Sequence, residues 1–138
     1  MSKTAPYTFL AGIMAMFFVF GHFTLNETGS EPRGLYWLAH QPFKRGTLVR
    51  LRMPLKTITA LPGDHVTFSP EGVYVDGTLV PNSAPEPELP HFPFGSYTVP
   101  ADMFLALAQN PDSWDGRYVG FLPESLISST IKPVWTKP

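Results

Sequence analysis

Along residues 5–25, APYTFLAGIMAMFFVFGHFTL, no Asp, Glu, Lys or Arg interrupts the apolar pattern. A helix that crosses the hydrocarbon core of a bilayer needs about 20 mostly apolar residues, and this stretch has that length. The pattern predicts a short cytoplasmic N-terminus over 1–4, a transmembrane helix over 5–25 and one further domain over 26–138. Tyr7 and His22 stand where the two interfaces would fall. A cleaved secretory signal is the competing reading, but the following HFTLNETGS offers no clear small-x-small pair for cleavage. Lys3 and the amino terminus precede the run, whereas Glu27, Glu31 and Arg33 follow it. That asymmetry favours a single-pass protein of the inner (cytoplasmic) membrane, with its bulk in the periplasm.

Beyond the run the pattern shortens to strands. TLVRLRM (47–53) alternates apolar and basic residues, and LKTITAL (55–61) offers Leu55, Ile58 and Leu61 to a core. Pro62-Gly63-Asp64 reads as a turn whose carboxylate binds nearby N–H groups. HVTFS (65–69) and GVYVDGTLVP (72–81) follow, and Asp76-Gly77 is a hairpin signal between β-rich runs. Residues 81–95 hold five prolines and are expected to form an extended surface loop, a spacer rather than a docking segment. SYTVP (96–100) returns to strand composition. MFLALAQ (103–109) suits a strand or a short helix. GRYVGFLP (116–123) reads as a last core strand, followed by a helical turn over 123–127 and a polar tail. The expected class is mostly β and antiparallel behind an N-terminal transmembrane helix.

Composition narrows the function classes. The 138 residues suffice for one domain plus an anchor, and the formal net charge of −1, with no basic stripe, gives no case for nucleic acid. The absence of cysteine excludes disulfides, thiolate metal sites and a cysteine nucleophile. His22, His40, His65 and His91 are scattered without ligand spacing, so neither metal nor cofactor is expected. Trp114 and Trp135 suit lipid headgroups or ordinary packing equally.

Ser30, Lys56 and Asp115 are the residues with chemical potential. Most lone serines and lysines are solvated surface. Taken together, Ser30 and Lys56 suggest a serine activated by a lysine. A serine hydroxyl is a weak nucleophile that needs a neighbouring base. An ammonium cannot accept a proton, so the lysine must be neutral, well below its ordinary pKa of about 10.4. Burial among residues such as Leu55, Ile58, Leu61 and Phe104 would supply that bias.

KTITALPGD (56–64), VYVDGTLV (73–80) and NPDSWDGRYVG (110–120) resemble, in order, three boxes of the type I signal peptidases. The serine box, Ser30-Glu31-Pro32-Arg33-Gly34-Leu35-Tyr36, resembles the Ser-x-Pro-x-Gly-x-Tyr of the conjugative-transfer branch called TraF rather than the Ser-Met-x-Pro-Thr of general signal peptidases. Penicillin-binding Ser/Lys enzymes are disfavoured because Arg33, not lysine, stands three residues after Ser30. The resemblance implies an antiparallel β domain of the signal-peptidase type. It implies Ser30 as nucleophile, Lys56 as general base, and the Ser30 N–H with the Thr28 hydroxyl as oxyanion donors. It further implies that Ser113 directs the lysine while Asp115 and Arg117 form a supporting ion pair. Ala108-Gln109-Asn110 departs from the family's Gly-Asp-Asn or Ser-Asp-Asn, which bears on the geometry around Lys56.

The expected function is a membrane-anchored serine endopeptidase that cleaves, or cleaves and cyclises, a conjugative pilin precursor. Two alternatives stand beside it. One is a general signal peptidase acting on secreted proteins; the other is a non-catalytic, membrane-tethered β module of a secretion or conjugation machine.

Overall fold

A computed structural model describes residues 5–51 and 55–137, with side chains from residue 8 onward. The expected N-terminal segment 1–4, the Tyr7 side chain and the end of the expected strand 47–53 lie outside the described residues. Helix α1 runs Ala5–His22 and stops there. Residues 23–25, expected as the last turn of the same helix, belong instead to strand β1, Phe23–Asn26. It pairs antiparallel with β2, Gly34–Leu38, so its backbone groups find partners across a strand. At about 1.5 Å per residue, the 18 residues of α1 reach roughly 27 Å, short of a hydrocarbon core of about 30 Å. Among the described residues no helix is long and apolar enough to cross a membrane. The helix is nonetheless apolar around its circumference and uncovered, with Phe9 at 73% exposure and Phe20 at 75%.

The remainder forms two antiparallel sheets. Strands β3 (Leu48–Leu51), β4 (Lys56–Ala60), β9 (Met103–Leu107), β10 (Leu122–Pro123) and β11 (Ile127–Thr136) join the first two. They make a seven-stranded sheet in the order β1-β2-β11-β3-β4-β9-β10. Strands β5 (His65–Ser69), β6 (Gly72–Val75), β7 (Thr78–Leu79) and β8 (Gly95–Thr98) make the second, ordered β7-β6-β5-β8. Asp76 (φ 48°) and Gly77 (φ 80°) close the β6–β7 hairpin with left-handed backbone at both centres, as the Asp-Gly signal predicts. The proline-rich segment carries no strand between β7 and β8.

Strand β9 explains the core. MFLAL is apolar at every position because both of its faces are covered. Leu105 and Leu107 pack with Ala60, Val66, Phe68 and Val73, whereas Phe104 and Ala106 pack with Val49, Leu51 and Ile58. The strand reading of MFLALAQ therefore holds and the helical one does not.

Two expectations fail. GRYVGFLP is not a core strand: Gly116–Val119 is a short helix, α2, and only Leu122–Pro123 pairs as β10. Asp115 caps α2 by accepting from the Arg117 N–H, and Gly116 lies so close to Leu105 and the Ala106 carbonyl that no Cβ fits. The polar tail is not a tail. After a 3-10 turn over Glu124–Leu126, β11 inserts between β2 and β3 and ties the N-terminal hairpin to the rest of the sheet. Its Ser129 and Thr130 are buried, and Thr130 Oγ1 accepts from the Gln41 N–H at 2.8 Å.

Gly34 opens β2 against β11, where a Cβ would collide with the Trp135 carbonyl oxygen and the Thr136 Cα. Both obstacles are backbone and cannot rotate away. Gly34→Ala is expected to destabilise the fold by roughly 3 kcal/mol, read as a lowered denaturation midpoint with an unchanged slope.

Candidate active site

The loop between β1 and β2 carries Ser30, and its shape is set by Asn26 at the end of β1. Asn26 is buried, and its amide donates to the carbonyls of Glu31 (2.9 Å) and Pro32 (3.2 Å). Its Oδ1 accepts from the Thr28 N–H at 3.2 Å and from the Thr28 hydroxyl at 2.7 Å. Asn110 ties the loop from the other side by donating to the Gly29 carbonyl at 2.9 Å. One side chain thus gathers the loop on itself, and a second pins it to the segment before α2.

Lys56 is the first residue of β4, and its side chain points inward, as alternation through Ile58 requires. Its Nζ lies 3.2 Å from Ser30 Oγ and also hydrogen-bonds Ser113 Oγ. The two serine oxygens are 3.0 Å apart, which closes a triangle of polar atoms. Lys56 is only 5% exposed. Burial lowers its pKa below the ordinary lysine range, and the nearby Arg117 charge pushes the same way. The carboxylates of Asp115 and Glu31 oppose the shift, but desolvation is the larger effect. The amine is therefore biased toward the form that can accept a proton.

Ser113 is held by a buried ion pair. Arg117 and Asp115 are both inaccessible, with Nε 2.8 Å from Oδ1. The guanidinium also donates to the carbonyls of Asn82 (2.9 Å), Pro111 (2.7 Å) and Ala108 (3.3 Å). Asp115 Oδ2 accepts from the Ala108 N–H at 2.8 Å. The departing triplet Ala108-Gln109-Asn110 thus supplies a backbone bond to Asp115 and a side-chain bond to the serine loop, and Ser113 still reaches Lys56.

Two hollows flank the triangle. One, of about 490 Å³, is bordered by Thr57, Ile58, Val80, Leu107 and Gln109. The other, of about 600 Å³, holds Ser30 between Gly29, Arg33, Gln109, Asn110 and Lys137. A half-buried hydroxyl that lines an open hollow, beside a buried amine that favours neutrality, suits nucleophilic attack. The family described as signal peptidase, peptidase S26, matches residues 2–136. The chain belongs to this family. It is 31% identical over 145 aligned residues to a plasmid transfer protein TraF from Escherichia coli, covering 81% of this chain and 82% of that protein. A second plasmid transfer protein TraF from Escherichia coli is 28% identical over 173 aligned residues, covering 99% and 97%. A probable signal peptidase I-2 from Synechocystis sp. is 37% identical over 89 aligned residues, covering 61% of this chain and 39% of that protein. Membership of a peptidase family implies a peptide or protein substrate.

The six site residues expected from the sequence, Thr28, Ser30, Lys56, Ser113, Asp115 and Arg117, lie at or beside the triangle. The Thr28 hydroxyl donates to Asn26, so an oxyanion role requires it to turn from Asn26 toward a bound substrate. Asp64 is a turn residue, accepting from the Leu61 N–H at 2.7 Å and pairing with Arg45. Trp114 stacks on Tyr118 with ring centroids 4.6 Å apart, while Trp135 is exposed. Among the described residues no group of three or more His, Cys, Asp or Glu side chains is arranged as metal ligands.

Asn26 and Glu31 were not singled out from sequence. Asn26 did carry a signal, since an asparagine two residues before a threonine can bind that residue's N–H. Glu31 carried none, because an acid in a polar box reads as solvated. It is 5% exposed and accepts from the Thr57 hydroxyl at 2.9 Å. Burial raises its pKa above the usual carboxylate range, against the pull of Thr57 and Lys56. Desolvation thus drives Glu31 and Lys56 toward neutrality together.

Asp115→Asn removes one charge of a buried pair and leaves Arg117 uncompensated. The expected cost is about 3–5 kcal/mol of stability, measurable as a lowered denaturant midpoint.

Proposed function

We propose that this chain is a membrane-anchored serine endopeptidase of the conjugative-transfer type, which matures a pilin precursor. The observation that carries the reading is the contact of Ser30 Oγ with a lysine amine that is buried and biased toward neutrality. In the proposed reaction Ser30 attacks a peptide carbonyl while neutral Lys56 takes the hydroxyl proton. The Ser30 N–H and the Thr28 hydroxyl receive the developing oxyanion. Lys56 returns its proton to the leaving amine, and an acyl-enzyme remains. Water then completes hydrolysis; an incoming amine gives a new peptide bond, and an amine from the same chain closes a ring.

The conjugative assignment draws on the Ser-x-Pro-x-Gly-x-Tyr box and on the TraF relatives that span most of the chain. A general signal peptidase is the second reading, favoured by the Synechocystis relative. Anchoring draws on the uncovered apolar surface of α1. The run 5–25 continues that apolar character into β1, so the proposed membrane segment uses α1 with its flanks in the interface. Confining the enzyme and a membrane-bound precursor to one layer raises their effective concentration.

Ser30→Ala and Lys56→Ala should each abolish processing of the cognate precursor in cells, with the protein still folded and present. Lys56→Arg should be equally inactive because a guanidinium keeps its charge. Full processing by either alanine variant would remove the catalytic reading. Accumulation of many uncut secretory precursors, rather than the pilin alone, would favour the general peptidase.

The sign of the pH dependence follows from the lysine. A base with a lowered pKa is neutral at a lower pH than an ordinary lysine, so kcat/KM should rise with pH through that value and fall in acid. Glu31 holds a proton on Lys56 when ionised, so Glu31→Gln should move the acid limb to still lower pH. An unmoved limb would show that Glu31 does not tune the base.

A further inference from the structure

The hollow that contains Ser30 is cationic on one side, and nothing in the proposed chemistry uses that charge. Arg33 follows Ser30 in the serine loop, and Lys137 follows β11. The Lys137 N–H donates to the Arg33 carbonyl at 2.6 Å, so the two residues are held side by side. Both border the Ser30 hollow and are exposed. Among the described residues neither takes part in an ion pair. Glu31 borders the same hollow, but it is buried and bound by Thr57. Glu27 shares a smaller neighbouring hollow of about 240 Å³ with both cations and pairs with neither. The hollow on the far side of Gln109 is lined instead by Ile58, Val80 and Leu107. A chain laid across Ser30 therefore meets an apolar wall in one direction and two unpaired cations in the other.

We propose that Arg33 and Lys137 form a subsite for a carboxylate of the substrate, on the side of the cut away from the apolar hollow. The ligand chemistry is an acidic side chain or a free C-terminal carboxylate. Arg33 is three positions beyond Ser30, at most about 10 Å of chain, so the carboxylate lies within about three residues of the cut. This rests on the reading of Ser30 as nucleophile. A guanidinium suits a carboxylate because it can donate two parallel hydrogen bonds, and the ammonium adds a point charge beside it. The subsite selects the substrate.

The test uses the full chain in detergent micelles and N-acetylated alanine-rich peptides. Asp, Asn or Lys is placed in turn at each of the three positions on either side of the cut, with free or amidated C-termini. At low salt, kcat/KM should favour Asp over Asn by roughly tenfold at one or more positions on one side only, and salt should shrink that ratio. A preference for the free over the amidated C-terminus identifies the terminal carboxylate; a preference for Asp in amidated peptides identifies the side chain. Arg33→Glu/Lys137→Glu should invert the preference toward Lys. If no peptide turns over, the same ratios are read as binding to the Ser30→Ala chain by amide chemical shifts. Equal handling of Asp and Asn, with free and amidated termini also equal, overturns the subsite. So does a preference that survives charge reversal. Charge-dependent binding to anionic vesicles without Asp/Asn or terminal discrimination also overturns it, and assigns the pair to lipid headgroups. Turnover by the Ser30→Ala chain equal to the native rate would instead defeat the nucleophile assignment, while the charge preference would still be read.

Discussion

The buried pairing of Asp115 with Arg117 is the constraint on which the site depends. Six protein groups converge on these two side chains: the Ala108 N–H, the Arg117 N–H, and the carbonyls of Asn82, Pro111, Ala108 and Asn110. Together they set the path of the chain from the end of β9 to the start of α2, and Ser113 lies on that path. Buried ion pairs contribute little net stability, because desolvation offsets most of the attraction. Here the pair fixes a position: it puts one hydroxyl, that of Ser113, against the amine of Lys56.

Burial then does the chemical work on the amine. Lys56 has two carboxylates in its electrostatic surroundings, and these alone would strengthen its hold on a proton. Desolvation outweighs them, and Arg117 adds to desolvation. The same low-dielectric pocket raises Glu31, so the two carboxylates do not act alike: Asp115 is locked to a guanidinium, whereas Glu31 has only a threonine hydroxyl and is pushed toward its uncharged form. The poise of Lys56 is thus a balance among groups from three places, the serine loop, β4 and the segment before α2.

The fold assembles those places economically. Strand β1 follows directly on α1, so the serine loop sits close in sequence to the proposed membrane segment. Strand β11 arrives from the far end of the chain to hold β2, and the hairpin that carries Ser30 is thereby fastened to the strand that carries Lys56 through β3. Asn26 and Asn110 adjust the loop locally, and an amide suits this role because it can donate and accept at once without bringing a charge into the pocket.

Local sequence determined a good deal. The Asp-Gly turn, the alternation of β4, the proline-rich connector and the apolar run of α1 each depend on neighbours within a few residues, and each was legible. The four boxes also allowed Ser30, Lys56 and Ser113 to be named together. Tertiary structure decided the rest. ISSTIKPVWT became a central strand because β2 and β3 offered it partners on both edges, and a polar segment with a proline carries no such sign of its own. GRYVG turned into a helix because Asp115 caps it and the Arg117 guanidinium finds oxygen acceptors on five residues, Asp115 among them, in a buried pocket, although its apolar spacing alone suits a strand. The burial of Glu31, and the neutral bias of Lys56 that accompanies it, come from surfaces contributed by distant segments. A chain's own order encodes which groups are present and how near neighbours turn; the dielectric around a charge exists only once distant segments have excluded water from it.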